Sequence, residues 1–349
     1  MADVVLVTGV SRYLGGRFAR LLTAQPGVNR VIGVDVIPPL DDIGRAEFVR
    51  ADIRNPMIAK IITQAEVDTV VHMNLIATPF SVGGRVSQKE INVIGTMQLL
   101  AACQKSPIIR RLVVKSSAAV YGSSPRDPAM FTEDMGPKSL PRAGFGKDSV
   151  EVEGYVRGFA RRRVDVEISM LRLANIVGPG MRTSLTDYFS LPVIPTPLGF
   201  DARLQLVHEN DALQGLLLAT MGASVGIVNV AGDGIITVQQ AARLSGRPAL
   251  PVPMSAGGLL GRIVKRAGLA DFSQDQMQYL AWGRGMDTSR MREVLHLEPE
   301  FTTRTAFEDF ISHVGSGLPG SAAIGAAANG LAGSVANVLT HVLASGRNG

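Results

Sequence analysis

Cysteine is almost absent from this sequence, which has Cys103 as its single thiol among 349 residues. One thiol cannot form a disulfide within the chain, so a reducing compartment, the cytoplasm, is expected. The chain starts with a strand-like run at Val4–Val7 and lacks the charged and apolar regions of a signal peptide. We therefore expect no secretory leader.

Histidine and aromatic residues are also scarce. The five histidines are scattered, and none has a partner at metal-ligand spacing, so no metal site is predicted. The net charge of +5 is spread along the chain, apart from a cluster at Arg161–Arg163. No aromatic residue or motif accompanies this cluster, so it is interpreted as a solvated helix end, and nucleic acid is not expected as a partner.

Charge is missing altogether from residues 316–346, a Gly/Ala-rich stretch in which apolar residues fall on one helical stripe. It is too interrupted for a transmembrane helix. A disordered tail, a helix docked on this chain or on a second subunit, and a membrane-surface helix all stay open. Residues 258–270 form a short basic amphipathic pattern, typical of a globular surface helix or of a surface that meets acidic lipid or a partner.

Glycine, alanine and valine are abundant, and short apolar runs alternate with helical patterns. This alternation predicts a doubly wound α/β fold, a Rossmann parallel sheet with a smaller C-terminal substrate subdomain. The first helical segment places Leu14, Phe18, Leu21 and Leu22 on one buried face. We predict an NAD(P)-binding Rossmann domain over 1–175 with late returns near 226–231, an interleaved substrate-side subdomain over 176–313, and a tail over 314–349.

A glycine-containing turn follows the first strand. Gly9 would make a tight strand-to-helix turn, and Gly15 would let the helix pack close to the strand, so that helix N–H groups point at a pyrophosphate. Asp35 ends the second strand, where an acid accepts bonds from a ribose hydroxyl and repels a 2′-phosphate. Strand, turn, helix, strand and acid in this order predict a dinucleotide site.

Several further segments recur in the order of one family: Ala51–Ile53, Val70–His72, Asn92–Thr96, Ser116–Gly122, Leu171–Pro179 and Val207–Asp211. Over roughly residues 1–313 the chain resembles the NAD-dependent epimerase/dehydratases, extended short-chain dehydrogenases that include UDP-galactose 4-epimerases. The resemblance implies NAD as cofactor, a nucleotide-sugar ligand and, by analogy, a homodimer. It also implies roles for individual residues: Tyr13 and Leu14 in the cofactor loop, Asp52 and Ile53 at the adenine, Asn92 bracing the active-site backbone, and Asn175 and Arg203 at the substrate.

Arg12 departs from the family pattern, because it stands where the middle glycine of TGxxGxxG is expected. Three alternatives stay open: a surface arginine with the cofactor bound normally, a guanidinium contact to a phosphate, and a crowded site that binds weakly. A basic residue here keeps NADP open, although Asp35 favours NAD.

The catalytic pattern departs further. The family uses a Tyr-x-x-x-Lys pair, in which the lysine lowers the pKa of a tyrosine that exchanges the proton. Glu153 fixes the register and places Phe145 at the tyrosine and Ser149 at the lysine. Ser117 keeps the family's serine position, where it holds a substrate oxygen or only caps local backbone.

No nearby residue replaces the missing pair by helical geometry. Lys147 faces elsewhere on the helix, Tyr155 is at least two turns away, and Tyr121 is expected to pack. His72 is interpreted as a packed histidine, and His208 with Asp211 as a loop and helix-start organiser.

Three functions stay open: a non-catalytic protein that binds NAD(H) or a cleft ligand, an NAD-dependent epimerase/dehydratase with a rearranged proton relay, and a lipid- or membrane-associated scaffold peripheral to a membrane.

Overall fold

The computed structural model describes residues 2–78, 82–253 and 274–314. Its centre is a seven-stranded sheet in which every neighbouring pair is parallel, in the order β11-β6-β5-β4-β1-β2-β3. The predicted doubly wound parallel sheet is confirmed. These strands are β1 (Val4–Thr8), β2 (Arg30–Asp35), β3 (Glu47–Arg50), β4 (Thr69–His72), β5 (Arg111–Ser117), β6 (Glu167–Leu173) and β11 (Gly226–Val230).

Helices cover both faces of the sheet, and each face has its own apolar core. Because both faces are covered, the central strands contain continuous apolar runs, such as Val4–Val7 and Leu112–Val114, rather than alternating apolar and polar residues. The helices are α1 (Tyr13–Thr23), α2 (Met57–Gln64), α3 (Arg85–Lys89), α4 (Thr96–Lys105), α5 (Gly144–Arg162), α6 (Ser184–Phe189), α7 (Glu209–Met221), α8 (Val238–Leu244), α9 (Gln274–Trp282), α10 (Ser289–Glu293) and α11 (Thr303–His313). A π-helical turn (Glu90–Gly95) joins α3 to α4, and a 3₁₀ turn (Ala118–Tyr121) follows β5.

Helix α1 buries the face that its sequence pattern predicts. Leu14, Phe18 and Leu22 are buried in the core that α1 shares with α7, and Leu21 packs against it. The helices α2, α4 and α5 fill the opposite face.

The chain beyond β6 forms three small sheets around a third apolar core, which includes Tyr188, Phe189 and Phe307. Helices α6 and α8 each begin with a capping box, at Thr183 and Thr237, which satisfies their first backbone N–H groups. The strands of these sheets are β7 (Asn175–Val177), β8 (Ile194–Pro197), β9 (Arg203–Leu204), β10 (Leu206–His208), β12 (Ile236–Thr237), β13 (Ala249–Val252) and β14 (Gly283–Arg284).

The interpretation of Arg161–Arg163 as a solvated helix end is wrong for Arg163, which is buried. Its guanidinium donates to the carbonyl oxygens of Cys103 at 2.9 Å and Ile109 at 3.1 Å, and pairs with Asp165 at 2.7 Å. Arg163 therefore ties the end of α5 to the segment after α4, because a buried guanidinium needs its donors satisfied.

The described residues bear on membrane crossing and on metal binding. Among the described residues, no helix is long and apolar enough to cross a membrane, and no three His, Cys, Asp or Glu side chains cluster as metal ligands. The basic pattern at 258–270 and the uncharged stretch at 316–346 lie outside the described residues, so the hypotheses attached to them stay predictions.

His72 is packed in the core, as expected. It is 1% exposed, and its ring nitrogens each lie 2.8 Å from a hydroxyl, Thr8 Oγ1 at Nδ1 and Thr96 Oγ1 at Nε2. Burial, with a smaller contribution from Lys115, lowers the pKa of His72 from 6.5 to about 3. The folded protein therefore holds this ring neutral.

We predict that His72 makes the fold acid-sensitive. Between pH 6.5 and 3 the unfolded chain binds the proton that the folded ring refuses, so the free energy of unfolding falls as pH falls, by about 2 kcal/mol between pH 7 and pH 5 from this residue. Urea unfolding of wild type and His72→Gln at both pH values measures it. The loss between the two pH values should be smaller in the variant by about that amount, and an equal loss in both proteins would contradict the prediction.

Candidate functional site

A cavity of about 1040 Å³ opens at the carboxyl ends of the central strands. It extends from the turn after β1 to Tyr188 and Tyr279 in the C-terminal part of the chain. In an open parallel sheet, ligands bind outside the carboxyl ends of the strands, where the strand order reverses. Here that reversal lies between β1 and β4, next to the cavity.

The turn after β1 has the shape that a pyrophosphate needs. Gly9 has a φ of +80°, which only glycine adopts readily, and a Cβ there would come within 3.2 Å of Asn74. A Cβ at Gly15 would overlap the carbonyl oxygen of Gly9, so only glycine lets α1 lie this close to the turn. No side chain caps the start of α1. Its first N–H groups, at Tyr13 and Leu14, therefore fit an anionic ligand.

Arg12, at the N-cap of α1, lines the cavity and is partly buried. Burial lowers the pKa of its guanidinium, and Asp35 acts in the opposite direction. This placement does not fit a simple surface arginine. It fits either a phosphate contact or a crowded site, the other two alternatives.

Asp35 is buried at the end of β2 and stabilises the turn after β1. Its carboxylate accepts from the backbone N–H of Ser11 at 3.1 Å and of Val36 at 2.8 Å. Each carboxylate oxygen has two lone pairs, so a ribose hydroxyl can still be accepted. Tyr13 lines the cavity with its ring, while its hydroxyl donates to Glu209 at 2.6 Å and so ties α1 to α7.

The residues expected at the adenine lie beyond the edge of this cavity. Asp52 pairs with Arg54 at 2.6 Å, and that guanidinium lowers the pKa of Asp52. Ile53 is buried against Gly95, where a Cβ would come within 2.8 Å of its side chain. The contact between these two residues fixes the loop after β3 against the π-helical turn.

The three positions predicted to be catalytic, Ser117, Phe145 and Ser149, have different surroundings. Ser117 lines the cavity, and its Oγ accepts from the N–H of Ala119 at 3.1 Å, so it also caps the 3₁₀ turn. Phe145 lines the cavity with an apolar ring. Ser149 is fully buried, and its hydroxyl donates to the carbonyl oxygen of Phe145 at 2.9 Å. Ser149 therefore turns back on its own helix and supplies nothing to the cavity.

An ion pair with a buried carboxylate, which the sequence did not reveal, holds the start of α5. Asp148 is fully buried and accepts two bonds of 2.6 Å from Arg85, a cavity-lining residue. Asn92 donates to Asp148 at 3.2 Å and accepts from the N–H of Ile76 at 2.8 Å. Asn92 thus braces the backbone after β4, the role that the family resemblance implies.

A second buried network holds the middle of α5. Glu153 accepts from Arg172 at 2.7 Å and from the hydroxyl of Ser116 at 2.7 Å. Arg172 also donates to the hydroxyl of Tyr121 at 2.8 Å, and that hydroxyl donates to Asn229. Tyr121 is therefore committed to packing, as expected.

The other suggested substitutes are exposed on α5. Tyr155 is 38% exposed, and Lys147 lies 3.9 Å from Glu151 with its side chain 44% exposed. Neither is among the described residues that line the cavity. His208 and Asp211 also bind separate partners: His208 pairs with Asp309, and Asp211 accepts from the N–H groups of residues 300 and 301. They organise the start of α7 and do not form a dyad.

Lys115 is a cation of the cavity lining that the sequence analysis did not single out. It lies on β5 two residues before Ser117, so the two side chains leave the same face of the strand, and both line the cavity. The sequence does contain a signal for this residue. Lys115 is the single charge in the run Leu112–Ser117, and it stands two residues before Ser117, the serine expected in the site.

The cavity is strongly cationic. Asp187 is the one carboxylate among the described residues that line it. Asn175 lines it as well, whereas Arg203 is exposed on β9 and is not among those residues. The cationic lining side chains number six: Arg12, Arg85, Lys115, Arg142, Arg182 and Arg284.

Comparison with known proteins agrees with this architecture. A model described as "NAD dependent epimerase/dehydratase family" matches residues 5–194. "Uncharacterized protein Rv0501" of Mycobacterium tuberculosis is 50% identical over 311 residues, 88% of this chain and 83% of the relative. The UDP-glucose 4-epimerase of Mycolicibacterium smegmatis is 26% identical over 184 residues, 50% of this chain and 56% of the relative.

Solved structures share the fold. The UDP-glucose 4-epimerase of Thermotoga maritima, with UDP-glucose, has a TM-score of 0.69 and 19% identity, covering 89% of this chain and 98% of that one. The UDP-glucuronic acid 4-epimerase of Bacillus cereus, with UDP-glucuronic acid and NAD, has a TM-score of 0.67 and 18% identity, covering 90% of this chain and 99% of that one. The chain belongs to the NAD-dependent epimerase/dehydratase family, and the family's dependence on NAD agrees with the cofactor expected from the sequence.

The contact between Gly15 and the carbonyl oxygen of Gly9 generates a stability prediction. Gly15→Ala should lower the free energy of unfolding by roughly 3 kcal/mol, because the helix must move away from the turn. Gly154→Ala, in α5 with open space around it, is the control and should change stability by no more than about 1 kcal/mol in favour of the fold. Urea unfolding compares them, and equal stability of the two variants would refute the close contact.

Proposed function

We propose that this protein binds NAD(H) together with an anionic, nucleotide-linked ligand in one cavity, and that it does not perform the standard Tyr–Lys hydride chemistry of its family. The observation that carries the proposal is the excess of cationic over acidic side chains in the cavity lining: six cations face one carboxylate, and five remain when Arg85, which is paired with Asp148, is set aside. A cavity of one sign of charge concentrates ligands of the opposite sign. Dinucleotides and nucleotide sugars both carry diphosphate charge.

The turn after β1 and the residues around it would hold the cofactor. Gly9 and Gly15 let the pyrophosphate approach the first turn of α1, and Asp35 accepts a ribose hydroxyl. The buried carboxylate of Asp35 opposes a 2′-phosphate, so NAD is the expected form. When bound, the nicotinamide ring would supply hydride acceptance and donation.

The family's tyrosine–lysine pair for proton exchange is what the cavity lacks. Phe145 has no hydroxyl, and Ser149 is buried with its hydroxyl bonded to Phe145. General acid–base catalysis contributes about 10²–10⁴-fold to a rate. With both groups replaced, the protein keeps the ability to bind its ligands but loses the standard reaction. It acts as a sensor or carrier of those ligands.

A second candidate is an epimerase/dehydratase with another proton route. Ser117 faces the cavity, and Lys115 leaves the same face of β5. A hydroxyl and an amine in one cleft could hold and deprotonate a substrate hydroxyl, which is the specific support for this candidate.

Calorimetric titration tests the binding proposal. NAD⁺ and NADH should bind with micromolar Kd, NADPH at least tenfold more weakly because of Asp35, and UDP-glucose should bind the cofactor-loaded protein. No dinucleotide binding below millimolar would overturn the proposal. Conversion of UDP-glucose to a second nucleotide sugar by wild type, followed by NMR, would establish the second candidate instead.

Restoring the missing pair should create redox chemistry. Phe145→Tyr with Ser149→Lys is expected to raise any change in nicotinamide absorbance with NAD⁺ and UDP-glucose by at least a hundredfold over wild type, because it returns an acid–base hydroxyl and a cation. The matched control, Phe145→Leu with Ser149→Lys, keeps the lysine but has no hydroxyl and should stay at the wild-type level. Equal behaviour of the two double variants would show that residue 145 is not the missing acid–base position.

A further inference from the structure

Lys115 is a partly buried cation of the cavity whose own ligand the proposed function does not specify. Its Nζ donates to the carbonyl oxygen of Leu75, in the segment after β4, at 3.1 Å. Within the described part of the chain, this is the bond that its ammonium makes, and no carboxylate pairs with it. Two of its three N–H donors are left for a ligand.

The surroundings of Lys115 do not neutralise it. Burial and the positive charge of Arg12 lower the pKa of Lys115 from 10.5 to about 8. A buried charge without an opposite partner is costly. Two cations that face one space repel each other when that space holds no anion, so a negatively charged ligand between them would relieve both costs.

Strand order indicates which part of a dinucleotide would face Lys115. A doubly wound sheet binds one mononucleotide with each half, and the two halves meet where the strand order reverses. Strands β1, β2 and β3 form the half that carries Asp35, and β4, β5 and β6 form the other. Lys115 lies on β5, so it belongs to the half that receives the nicotinamide mononucleotide.

We infer that Lys115 binds the nicotinamide half of the dinucleotide, supplying the cation that position 149 lacks, and that it makes the cavity selective for the reduced cofactor. The inference rests on the proposed binding of NAD(H). Both cofactor forms carry the pyrophosphate charge that attracts an ammonium. The oxidised nicotinamide ring carries one positive charge that repels it, and the reduced ring carries none.

This selectivity depends on protonation of Lys115. The titratable and charged groups that act on it are Arg12, after β1, and His72, on β4. Arg85, which is paired with Asp148, lines the same cavity. Arginine stays protonated in proteins, and His72 is held neutral, so its titration near pH 3 lies far below the range of interest. Lys115 loses its charge as pH rises through about 8. The preference for NADH should therefore be present at pH 7 and fade by pH 9.

The test measures Kd for NADH and NAD⁺ at pH 7 and pH 9 by calorimetry, and the fluorescence of the reduced nicotinamide gives a second value for NADH. Wild type should prefer NADH by about tenfold at pH 7, which corresponds to about 1.4 kcal/mol, and by much less at pH 9. Lys115→Arg keeps its charge and should hold the preference at both pH values. Lys115→Met should lack it at both.

Lys147→Met is the matched control, since it removes an exposed lysine outside the cavity, and it should behave as wild type. If Lys115→Met keeps the wild-type preference and pH dependence, the role of Lys115 is refuted while NAD(H) binding stands. If no protein binds either dinucleotide, the proposed function fails and the inference fails with it. If Lys115→Met does not fold, the comparison of wild type with Lys115→Arg decides the question. Identical dependence of the NADH preference on pH in these two proteins would refute the inference.

Discussion

The carbonyl oxygen of Gly9 lies where a side chain at residue 15 would otherwise be, and the functional half of the molecule depends on this contact. Because the helix can approach the turn so closely, α1 starts directly over the end of β1 and aims its first backbone N–H groups at the cavity. The same placement puts Arg12 on the cavity wall and brings the ring of Tyr13 across toward α7. Moving the helix would displace all of these groups together.

Helix α5 is held independently of the chemistry that its family performs. Glu153 pairs with Arg172, and Asp148 pairs with Arg85, and in each pair the carboxylate is buried. Breaking a buried pair leaves an uncompensated charge, so such pairs fix the position of a helix strongly. Neither pair involves residue 145 or 149. The scaffold that would position a catalytic tyrosine therefore persists, with Phe145 and Ser149 at the positions where the family resemblance places that tyrosine and its lysine.

Charge distribution explains how the cavity would recognise the proposed ligands even without the standard acid–base pair. Its cationic side chains come from the turn after β1, from α3, from β5, from the loops before α5 and α6, and from β14. These elements are far apart in sequence and meet only at the carboxyl edge of the sheet. Recognition of diphosphate needs positive charge and backbone N–H groups, whereas hydride chemistry needs a proton-exchanging group at one exact position. The first requirement tolerates substitution far better than the second.

The sequence by itself determined the strands of the central sheet, the helix face of Leu14, Phe18 and Leu22, and the glycine turn, because each is a local pattern within about twenty residues. It also identified His72 as a packed residue. Only the tertiary structure decided that Arg163 is buried, that Arg203 is exposed away from the cavity, and that Ser149 bonds to its own helix. Lys115 and the Arg85–Asp148 pair emerged in the same way. Their surroundings come from segments about 40 to 60 residues away, and burial by distant segments, rather than local spacing, determines whether a charged side chain faces solvent, a partner or a ligand.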